Sequence, residues 1–199
     1  MKKLILLPIL ATSFIMASNI DDAIKNIQSK EYTKAINILK QQKETKKVDC
    51  LLGKAYYQRH LTYTDYILAA KYLTKAKTAN ANYYLGKLYE KGLGVKQNIN
   101  KALNYYKISN TKEANFALSN LYLKGKYILK NPKLAILYLK KSAKQGYDKA
   151  QYLLGKMYLK GNEALNKDLS KAAKWLKAST KNGEMKAKKL WEEYKLYKY

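Results

Sequence analysis

Apolar residues recur along this chain at intervals of three and four, a spacing that places them on one face of an α-helix. When the sequence is compared with itself, four segments align, and each combines an aromatic residue or cysteine, a leucine, a small residue and a tyrosine. They read CLLGKAYYQR from Cys50, YYLGKLYEKG from Tyr83, FALSNLYLKG from Phe116 and YLLGKMYLKG from Tyr152. The offsets of 33, 33 and 36 residues predict stacked helical hairpins, because self-similarity at this period is typical of helical solenoids.

A small residue stands in the middle of each predicted helix, at Gly53, Gly86, Ser119 and Gly155. Glycine inside a helix costs about 1 kcal/mol relative to alanine, so its presence needs a compensating reason. We predict that a neighbouring helix approaches too closely at this position for a larger side chain.

A second alignment marks the helix that follows each of these segments. Asp or Asn recurs at its start, where a side-chain oxygen can accept hydrogen bonds from free backbone amides, and Pro132 suits the first helical position after Asn131. An alanine and, three residues later, a Tyr or Trp are predicted to form the packing face. The predicted N-caps are Asp65, Asn98, Asn131 and Asp168, the alanines are Ala69, Ala102, Ala135 and Ala172, and the aromatics are Tyr72, Tyr105, Tyr138 and Trp175.

The two ends of the chain differ from the repeats. Lys2 and Lys3 are followed by an apolar run from Leu4 to Met16 and by the small residues Ala17 and Ser18, the pattern of a secretory signal peptide over residues 1–17. The run is shorter than the roughly 20 residues that a spanning helix needs. We predict cleavage near Ala17 and a periplasmic or secreted protein without a transmembrane segment afterwards; an uncleaved membrane anchor is the alternative.

No long linker divides the rest of the chain. The C-terminal segment reads as one helix with Trp191 and Leu196 on its apolar side. The predicted boundaries are 18–47 for an N-terminal helical hairpin, about 48–79, 80–110, 111–146 and 147–183 for four repeats, and 184–199 for a C-terminal capping helix.

The repeat pattern resembles a known family. The consensus LG-x-x-Y-x-x-G-x-G-V-x-x-[DN]-x-x-KA-x-x-[YW], which fits residues 82–106 almost letter for letter, is similar to the Sel1-like repeat, a relative of the tetratricopeptide repeat. The resemblance covers four units over residues 48–183, and EYTKAINIL from Glu31 resembles the second helix of a tetratricopeptide pair. It implies an all-α, right-handed superhelical solenoid of antiparallel helix pairs.

The glycine pair in EKGLGVKQN, residues 90–98, has two interpretations. A loop of this kind can bind phosphate through bare backbone amides, but only next to the rest of a nucleotide-binding unit, and none surrounds it. We therefore predict a turn between two helices. Gly92 ends the first helix in a left-handed conformation, and Gly94 helps the backbone turn towards Asn98, the predicted cap of the next helix.

The chain carries 40 lysine and arginine residues against 14 aspartates and glutamates, a formal charge of +26, and cleavage near Ala17 leaves +24. Such a charge favours anionic partners in a salt-dependent way. Arg59 is the only arginine, and base-specific readers favour arginine, so specific nucleic-acid binding is not expected. The expected partners are proteins with an acidic surface, or an anionic envelope component such as peptidoglycan, lipopolysaccharide or lipid headgroups. A compositional bias that leaves lysines on solvated faces is the alternative.

By resemblance to tetratricopeptide repeats, the first helix of each pair lines the concave surface of the solenoid. The residues three before the small position, one after it and five after it form a stripe on this helix. We predict that a ladder of aromatic and lysine residues on these stripes binds a protein partner; the alternative is that the aromatics only pack and the lysines are only solvated. The predicted partner-binding residues are Tyr83, Lys87, Lys91, Phe116, Asn120, Lys124, Tyr152, Lys156 and Lys160, and the first repeat has Cys50, Lys54 and Gln58 in this register.

Catalytic chemistry is not indicated by the sequence. One cysteine, Cys50, and one histidine, His60, suggest neither a metal cluster nor a nucleophile with its base, and the carboxylates show no paired pattern. We expect no catalytic residue, no metal and no cofactor. Cys50 is either a small buried filler or a thiol for an intermolecular disulfide, and His60 is expected at the surface.

A cysteine-rich branch of the Sel1-like family is associated with penicillin binding and is named as beta-lactamase. Its disulfides join a cysteine four residues before the small glycine to one at the end of the second helix, and no cysteine stands at these staple positions here. The resemblance therefore favours a non-catalytic protein–protein interaction scaffold at the bacterial cell envelope; a peptidoglycan- or beta-lactam-binding protein or a beta-lactamase-like hydrolase is the alternative. The staple positions hold Asp49, Asn82, Asn115 and Gln151 on the first helices and Lys77, Asn110, Ala143 and Thr180 on the second.

Overall fold

A computed structural model describes residues 19–199 of the chain, so the predicted signal peptide and its cleavage site lie outside the described residues. Over 19–199 the chain is helical without a β-strand, apart from one isolated bridge between Asn162 and Leu165. The predicted all-α class, built from antiparallel helix pairs, is confirmed. None of the helices in this part of the chain is long and apolar enough to cross a membrane.

Two compact units make up the fold, one ending at Ala102 and the other running from Leu103 to Tyr199. The first unit contains α1 (residues 19–28), α2 (Tyr32–Lys40), α3 (Lys46–Arg59), α4 (Tyr63–Ala76) and α5 (Ala79–Lys91). The boundary falls inside α6 (Ile99–Ser109), not in a linker. The second unit contains α7 (Lys112–Lys124), α8 (Pro132–Lys144), α9 (Asp148–Lys160), α10 (Leu169–Lys181), α11 (Met185–Glu193) and a 3-10 turn (Leu196–Lys198).

Side-chain caps explain where most of these helices begin. Asn98, Asn131 and Asp168 each accept a hydrogen bond from the backbone amide three residues later, at 2.9, 3.0 and 2.8 Å, which confirms three predicted N-caps. Pro132 takes the first position of α8, as predicted. Four other helices have a threonine N-cap, which the alignment does not single out. These threonines are Thr45, Thr62, Thr78 and Thr111.

The predicted N-cap role of Asp65 is wrong. Thr62 caps α4, and Asp65 stands at the third helical position, where its carboxylate completes a capping box by accepting from the Thr62 amide. The same carboxylate, only 1% exposed, also accepts hydrogen bonds from the Arg59 guanidinium at the end of α3 and from the Leu61 amide. Arg59, through these bonds, holds the pKa of Asp65 below its ordinary value although burial opposes this. Asp65 therefore joins the end of one helix to the start of the next.

The helices of a pair pack through the aligned small and aromatic positions. Tyr56 of α3 stacks on Tyr72 of α4 with ring centroids 5.8 Å apart, and Tyr122 of α7 stacks on Tyr138 of α8 at 5.9 Å. The aligned alanines have no exposed surface, so the predicted packing face of the second helices is confirmed. These alanines are Ala69, Ala102, Ala135 and Ala172.

The mid-helix glycines lie where the partner helix comes closest. A Cβ atom built on Gly53 would stand 2.5 Å from Cγ of Leu73, and one on Gly155 would stand 2.7 Å from Cγ of Leu176. The predicted close approach is confirmed at both positions. Ser119 occupies the same position in α7, is fully buried, and has a hydroxyl without a hydrogen-bond partner among residues 19–199.

Alanine at this repeat position is expected to have opposite effects in two repeats. Gly155→Ala should lower the free energy of unfolding by about 1 kcal/mol, because overpacking against Leu176 outweighs the gain in helix propensity. Ser119→Ala should raise it by about 1 kcal/mol, because it removes a buried hydroxyl that lacks a partner. Urea denaturation followed by circular dichroism measures both changes, and a shift of the same sign in both variants would contradict this account.

Amide side chains connect the helices of each pair in the second unit. Asn115 of α7 is 1% exposed and donates to Oε1 of Gln145 after α8 at 2.9 Å, while Gln151 of α9 accepts from Nδ2 of Asn182 after α10 at 3.0 Å. We call these two hydrogen bonds the amide clasps. Asn115 and Gln151 stand at staple positions, but their partners Gln145 and Asn182 lie two residues beyond the second staple positions, Ala143 and Thr180.

The sequence predicts that the C-terminal segment is one continuous helix, but the structure shows a helix followed by a separate 3-10 turn. Helix α11 ends at Glu193, and Lys195 adopts a left-handed conformation with φ of 48°, which turns the chain into the 3-10 turn. The reversal buries Leu196 completely in the core cluster of the second unit, which includes Leu139, Leu154 and Leu176. Trp191 packs against the same core cluster. The two residues predicted on the apolar side do face the core, but a bend in the backbone brings them there.

Candidate functional site

In the first unit, α5 carries three of the predicted partner-binding residues. Tyr83 and Lys87 are half-buried and Lys91 is exposed. Nζ of Lys87 lies 5.5 Å from the centre of the Tyr83 ring, so the predicted adjacency along the stripe is present. A cation above an aromatic face at this distance is an attractive arrangement.

Tyrosines outside the predicted stripe adjoin these residues. Tyr57 of α3 lies 5.1 Å from Tyr84 of α5 between ring centroids, Tyr84 lies 5.1 Å from Tyr83, and Tyr66 of α4 lies 6.1 Å from Tyr57. Nζ of Lys87 is 4.8 Å from the Tyr57 ring, closer than it is to Tyr83. We call Tyr57, Tyr66, Tyr83 and Tyr84 the tyrosine cluster. Side chains from three helices of the first unit thus form one aromatic surface, and the ammonium group of Lys87 lies on it.

The tyrosine cluster is partly open to solvent, since all four of its members are half-buried. Burial raises the pKa of Tyr57, so its hydroxyl stays protonated at neutral pH and remains a hydrogen-bond donor. Apolar ring surface, hydroxyl groups and one ammonium thus lie together. This combination suits a partner segment that has apolar side chains and an acceptor or a negative charge.

The first-repeat stripe lies on α3 and is half-buried throughout, at Cys50, Lys54 and Gln58. Sγ of Cys50 lies 3.3 Å from Oγ1 of Thr78, which donates to it. This contact agrees with a packing role inside the unit, and the intermolecular disulfide stays a prediction. His60 is exposed, as expected, and ends α3 in a left-handed conformation.

In the second unit, the aromatic and the polar members of the predicted partner-binding set have different surroundings. Phe116 of α7 and Tyr152 of α9 are partly buried against the core cluster, and Phe116 meets Tyr147 edge to face at 5.1 Å. The aromatics here therefore contribute to packing. Asn120 is half-buried, whereas Lys124, Lys156 and Lys160 are exposed. The structure places all these residues at least partly at the surface, and their binding role stays a prediction.

Carboxylates, histidine and cysteine are scattered in the described chain. Nowhere between residues 19 and 199 do three of these side chains lie close enough to hold a metal ion. The carboxylates with the clearest structural roles serve helix starts: Asp168 caps α10 and pairs with Lys171, whose hydrogen bond lowers the pKa of Asp168.

Comparison with known proteins identifies one family. The family described as Sel1 repeat matches residues 49–80, 79–109, 112–147 and 148–184. These ranges follow the helix pairs α3–α4, α5–α6, α7–α8 and α9–α10. A search of curated proteins finds no match.

Two solved structures, each with a TM-score above 0.5, show the same fold. The chain is similar to a Sel1 repeat protein from Oxalobacter formigenes, with 26% sequence identity and a TM-score of 0.57 over 64% of this chain and 97% of the other. A Sel1 repeat protein from Klebsiella pneumoniae subsp. pneumoniae is 16% identical, with a TM-score of 0.55 over 89% and 92%. A protective antigen with an SLR fold from uropathogenic Escherichia coli is 21% identical, with a TM-score of 0.43, and the match covers 77% of this chain but 42% of the antigen.

Proposed function

Because this chain belongs to the Sel1 repeat family, we propose that it is a non-catalytic protein–protein interaction scaffold exported to the bacterial cell envelope. A fold of stacked helix pairs presents side chains from successive helices on one surface, which suits it to binding segments of other proteins. Function still has to be argued from the site, since one fold serves many functions.

The tyrosine cluster with Lys87 is the observation that carries this proposal. Tyrosines are enriched in protein–protein interfaces because a large apolar ring and a hydroxyl act from one side chain with few rotatable bonds. Three helices position the cluster, so its rings are held in place before a partner arrives. Preorganisation of this kind lowers the entropic cost of binding.

The acidic character of the partner is proposed from charge. The chain has a formal charge of +26, and exposed lysines stand beside the predicted binding residues in both units. Long-range attraction of this kind accelerates association with an acidic protein and weakens as salt is added. The envelope location is proposed from the signal-peptide pattern of residues 1–17 and from the fit between this charge and anionic envelope components.

A photocrosslinking experiment tests the proposal. A photoreactive amino acid placed at Lys87 or Lys124 of the full chain in bacterial cells should capture a protein partner, because both residues stand on the first helices. Lys71 of α4 and Lys133 of α8 are exposed lysines on second helices, so the same label there is the matched control and should capture that partner less. Capture should fall as the salt concentration is raised.

Two results would count against the proposed function. Crosslinking that yields no partner from Lys87 and Lys124, or equal yields from the control positions, would remove the first-helix surface as the binding site. Hydrolysis of a chromogenic beta-lactam or of muropeptides by the purified protein would contradict a non-catalytic role.

A further inference from the structure

The loop between α7 and α8, residues 125–131, exposes apolar side chains at the surface of the second unit. Leu129 is 90% exposed, the largest exposed fraction of any large apolar side chain in residues 19–199, and Tyr127 is 46% exposed. A single exposed leucine is common on protein surfaces, so the meaning of this one depends on its surroundings.

The aligned loops of the neighbouring repeats bury their apolar residues more deeply. In the loop that follows Gly92, Leu93 and Val95 are half-buried. In the loop that follows Gly161, Leu165 is 8% exposed and belongs to the core cluster. The exposure of Leu129 is therefore not a requirement of the repeat.

The base of the α7–α8 loop is held closed. The Asn131 amide donates to the Tyr122 carbonyl at 3.0 Å, and a Cβ atom built on Gly125 would stand 2.8 Å from Cβ of Lys130. Nζ of Lys130 also lies 2.8 Å from Oε1 of Glu163, in the loop of the next repeat. The loop therefore presents its apolar side chains from a fixed base, which lowers the entropic cost of binding.

Positive charge surrounds these apolar side chains. Residues 124–133 contain four lysines and no aspartate or glutamate. Lys130 pairs with Glu163, whereas the other three are exposed and have no ion-pair partner among residues 19–199; they are Lys124, Lys126 and Lys133. Nζ of Lys126 lies 5.0 Å from the centre of the Tyr127 ring, so a cation stands beside the exposed aromatic.

We propose that the α7–α8 loop docks on the surface of an anionic phospholipid bilayer, with Leu129 and Tyr127 at the boundary between headgroups and acyl chains. The lysines around them then contact lipid phosphates, since a lysine can bury its stem while its ammonium group stays at the headgroups. Leucine and tyrosine flanked by lysines are typical of segments that lie in a membrane interface.

A bilayer fits this loop better than a protein surface does. Leu129 stands out from the loop with almost no protein around it, so a protein partner would need a recess of matching shape. A lipid surface accepts a protruding side chain without one and supplies negative charge on all sides of it. The inference rests on the proposed envelope location and adds a membrane-facing surface to the scaffold.

Sedimentation with vesicles tests the proposal. The protein is residues 18–199, which keeps every residue of the described fold and omits the apolar run of residues 4–16, a segment that would itself bind lipid. Vesicles of phosphatidylcholine and phosphatidylglycerol in equal parts should bind it about tenfold more tightly than vesicles of phosphatidylcholine alone. Binding should weaken as salt is added.

Leucine substitutions separate the loop from the net charge of the chain. Leu129→Ser should weaken binding to the anionic vesicles about tenfold, because it removes an apolar contact and leaves every charge in place. Leu61→Ser is the matched control and should leave binding unchanged. Leu61 is 75% exposed in the turn between α3 and α4, where the charge of Arg59 is paired with Asp65.

Lysine substitutions test the position of the charge. Lys126→Gln should weaken binding to the anionic vesicles about fivefold, because this lysine lies beside the docked side chains. Lys71→Gln removes the same charge from an exposed position on α4 and should change binding less than about twofold.

Tryptophan fluorescence reports insertion directly. The emission of Leu129→Trp should shift to shorter wavelength on the anionic vesicles and should be quenched by brominated phosphatidylcholine added to them. Leu61→Trp carries the same two native tryptophans as background and should show neither change.

The proposal is overturned if the wild-type chain binds both kinds of vesicle equally, if Leu129→Ser binds as tightly as the wild-type chain, or if the two serine variants lose binding to the same extent. Capture of one protein and no lipid by a photoreactive amino acid at Tyr127 in cells would assign the loop to a protein partner instead. Failure of the vesicle experiments leaves the scaffold proposal intact when Lys87 still captures a protein. Binding that depends on Leu129, with no capture from Lys87 or Lys124, would retain the membrane surface and remove the scaffold.

Discussion

Asp65→Ala is expected to lower the free energy of unfolding of the first unit by about 3 kcal/mol. Asp65 is 1% exposed and Arg59 is 24% exposed, so removal of the carboxylate leaves a largely buried guanidinium without its partner. The substitution also removes the acceptor of the Leu61 and Thr62 amides at the start of α4. Urea denaturation monitored by circular dichroism, with hydrogen exchange to assign the loss to this unit, measures the effect.

Asp168→Ala is the matched control because Asp168 occupies the aligned position in the fourth repeat. There the carboxylate is a true N-cap, its side chain is 28% exposed, and its partner Lys171 is 58% exposed. We expect a loss of only about 1 kcal/mol, the usual effect of removing a cap. Equal losses in the two variants would mean that Asp65 acts as a simple cap and that its ion pair adds nothing.

The contribution of Asp65 also predicts a pH dependence. Its pKa in the folded chain lies below that in the unfolded chain, so the folded state binds this proton less readily. The stability that Asp65 provides is therefore fully present above an unfolded-state pKa of about 4 and is lost as the pH falls through the folded-state pKa. The difference in stability between the wild-type protein and Asp65→Ala should be constant from pH 7 to 5 and shrink below pH 4. A difference that grows on acidification would contradict the assignment.

Gly94→Ala is expected to destabilise the first unit by about 3 kcal/mol. Gly94 adopts a left-handed conformation with φ of 66°, and its loop touches the backbone of α4. A Cβ atom there would stand 2.5 Å from the Ile67 nitrogen and 2.6 Å from the Tyr66 oxygen. Because these are backbone atoms of a helix, no side-chain rotation relieves the contact. Thermal unfolding followed by circular dichroism measures the loss.

Gly92→Ala is the control for Gly94→Ala, because both glycines are left-handed but only Gly94 lies against the backbone of a helix. Gly92 lies two residues earlier with φ of 70°, and a Cβ atom there would meet Cβ of Gln97 at 3.1 Å, a contact that a small movement relieves. The expected loss is about 1 kcal/mol, the cost of the left-handed backbone alone. If Gly94→Ala is no worse than Gly92→Ala, the close approach to α4 does not constrain the loop.

The repeat itself is predictable because each of its aligned positions has one dominant physical cause. A mid-helix glycine without a neighbour would be unfavourable, so Gly53 and Gly155 already indicate close helix packing, and the structure shows Leu73 and Leu176 in contact distance. Asp65 shows the limit of this reasoning. An acidic residue near a helix start fits both the N-cap and the third position of a capping box, and the choice depends on Thr62, which the alignment does not mark.

The candidate surface is less predictable than the fold. Helical spacing alone places Tyr83 and Lys87 side by side, as the structure shows. Tyr57 and Tyr66 join them from two other helices, and contacts between helices do not follow from spacing along one of them. The sequence does contain a signal for the tyrosine cluster, because Tyr57 and Tyr84 each directly follow a tyrosine of the repeat pattern.

The amide clasps join helix pairs of the second unit without a covalent bond. The chain contains one cysteine, so none of its helix pairs is closed by a disulfide between two of its own residues. Thiol reductants leave amide hydrogen bonds intact, whereas a stapled repeat must first be oxidised and then keep its bonds against the local redox poise. Folding of these helix pairs therefore needs no oxidant and does not wait for disulfide exchange.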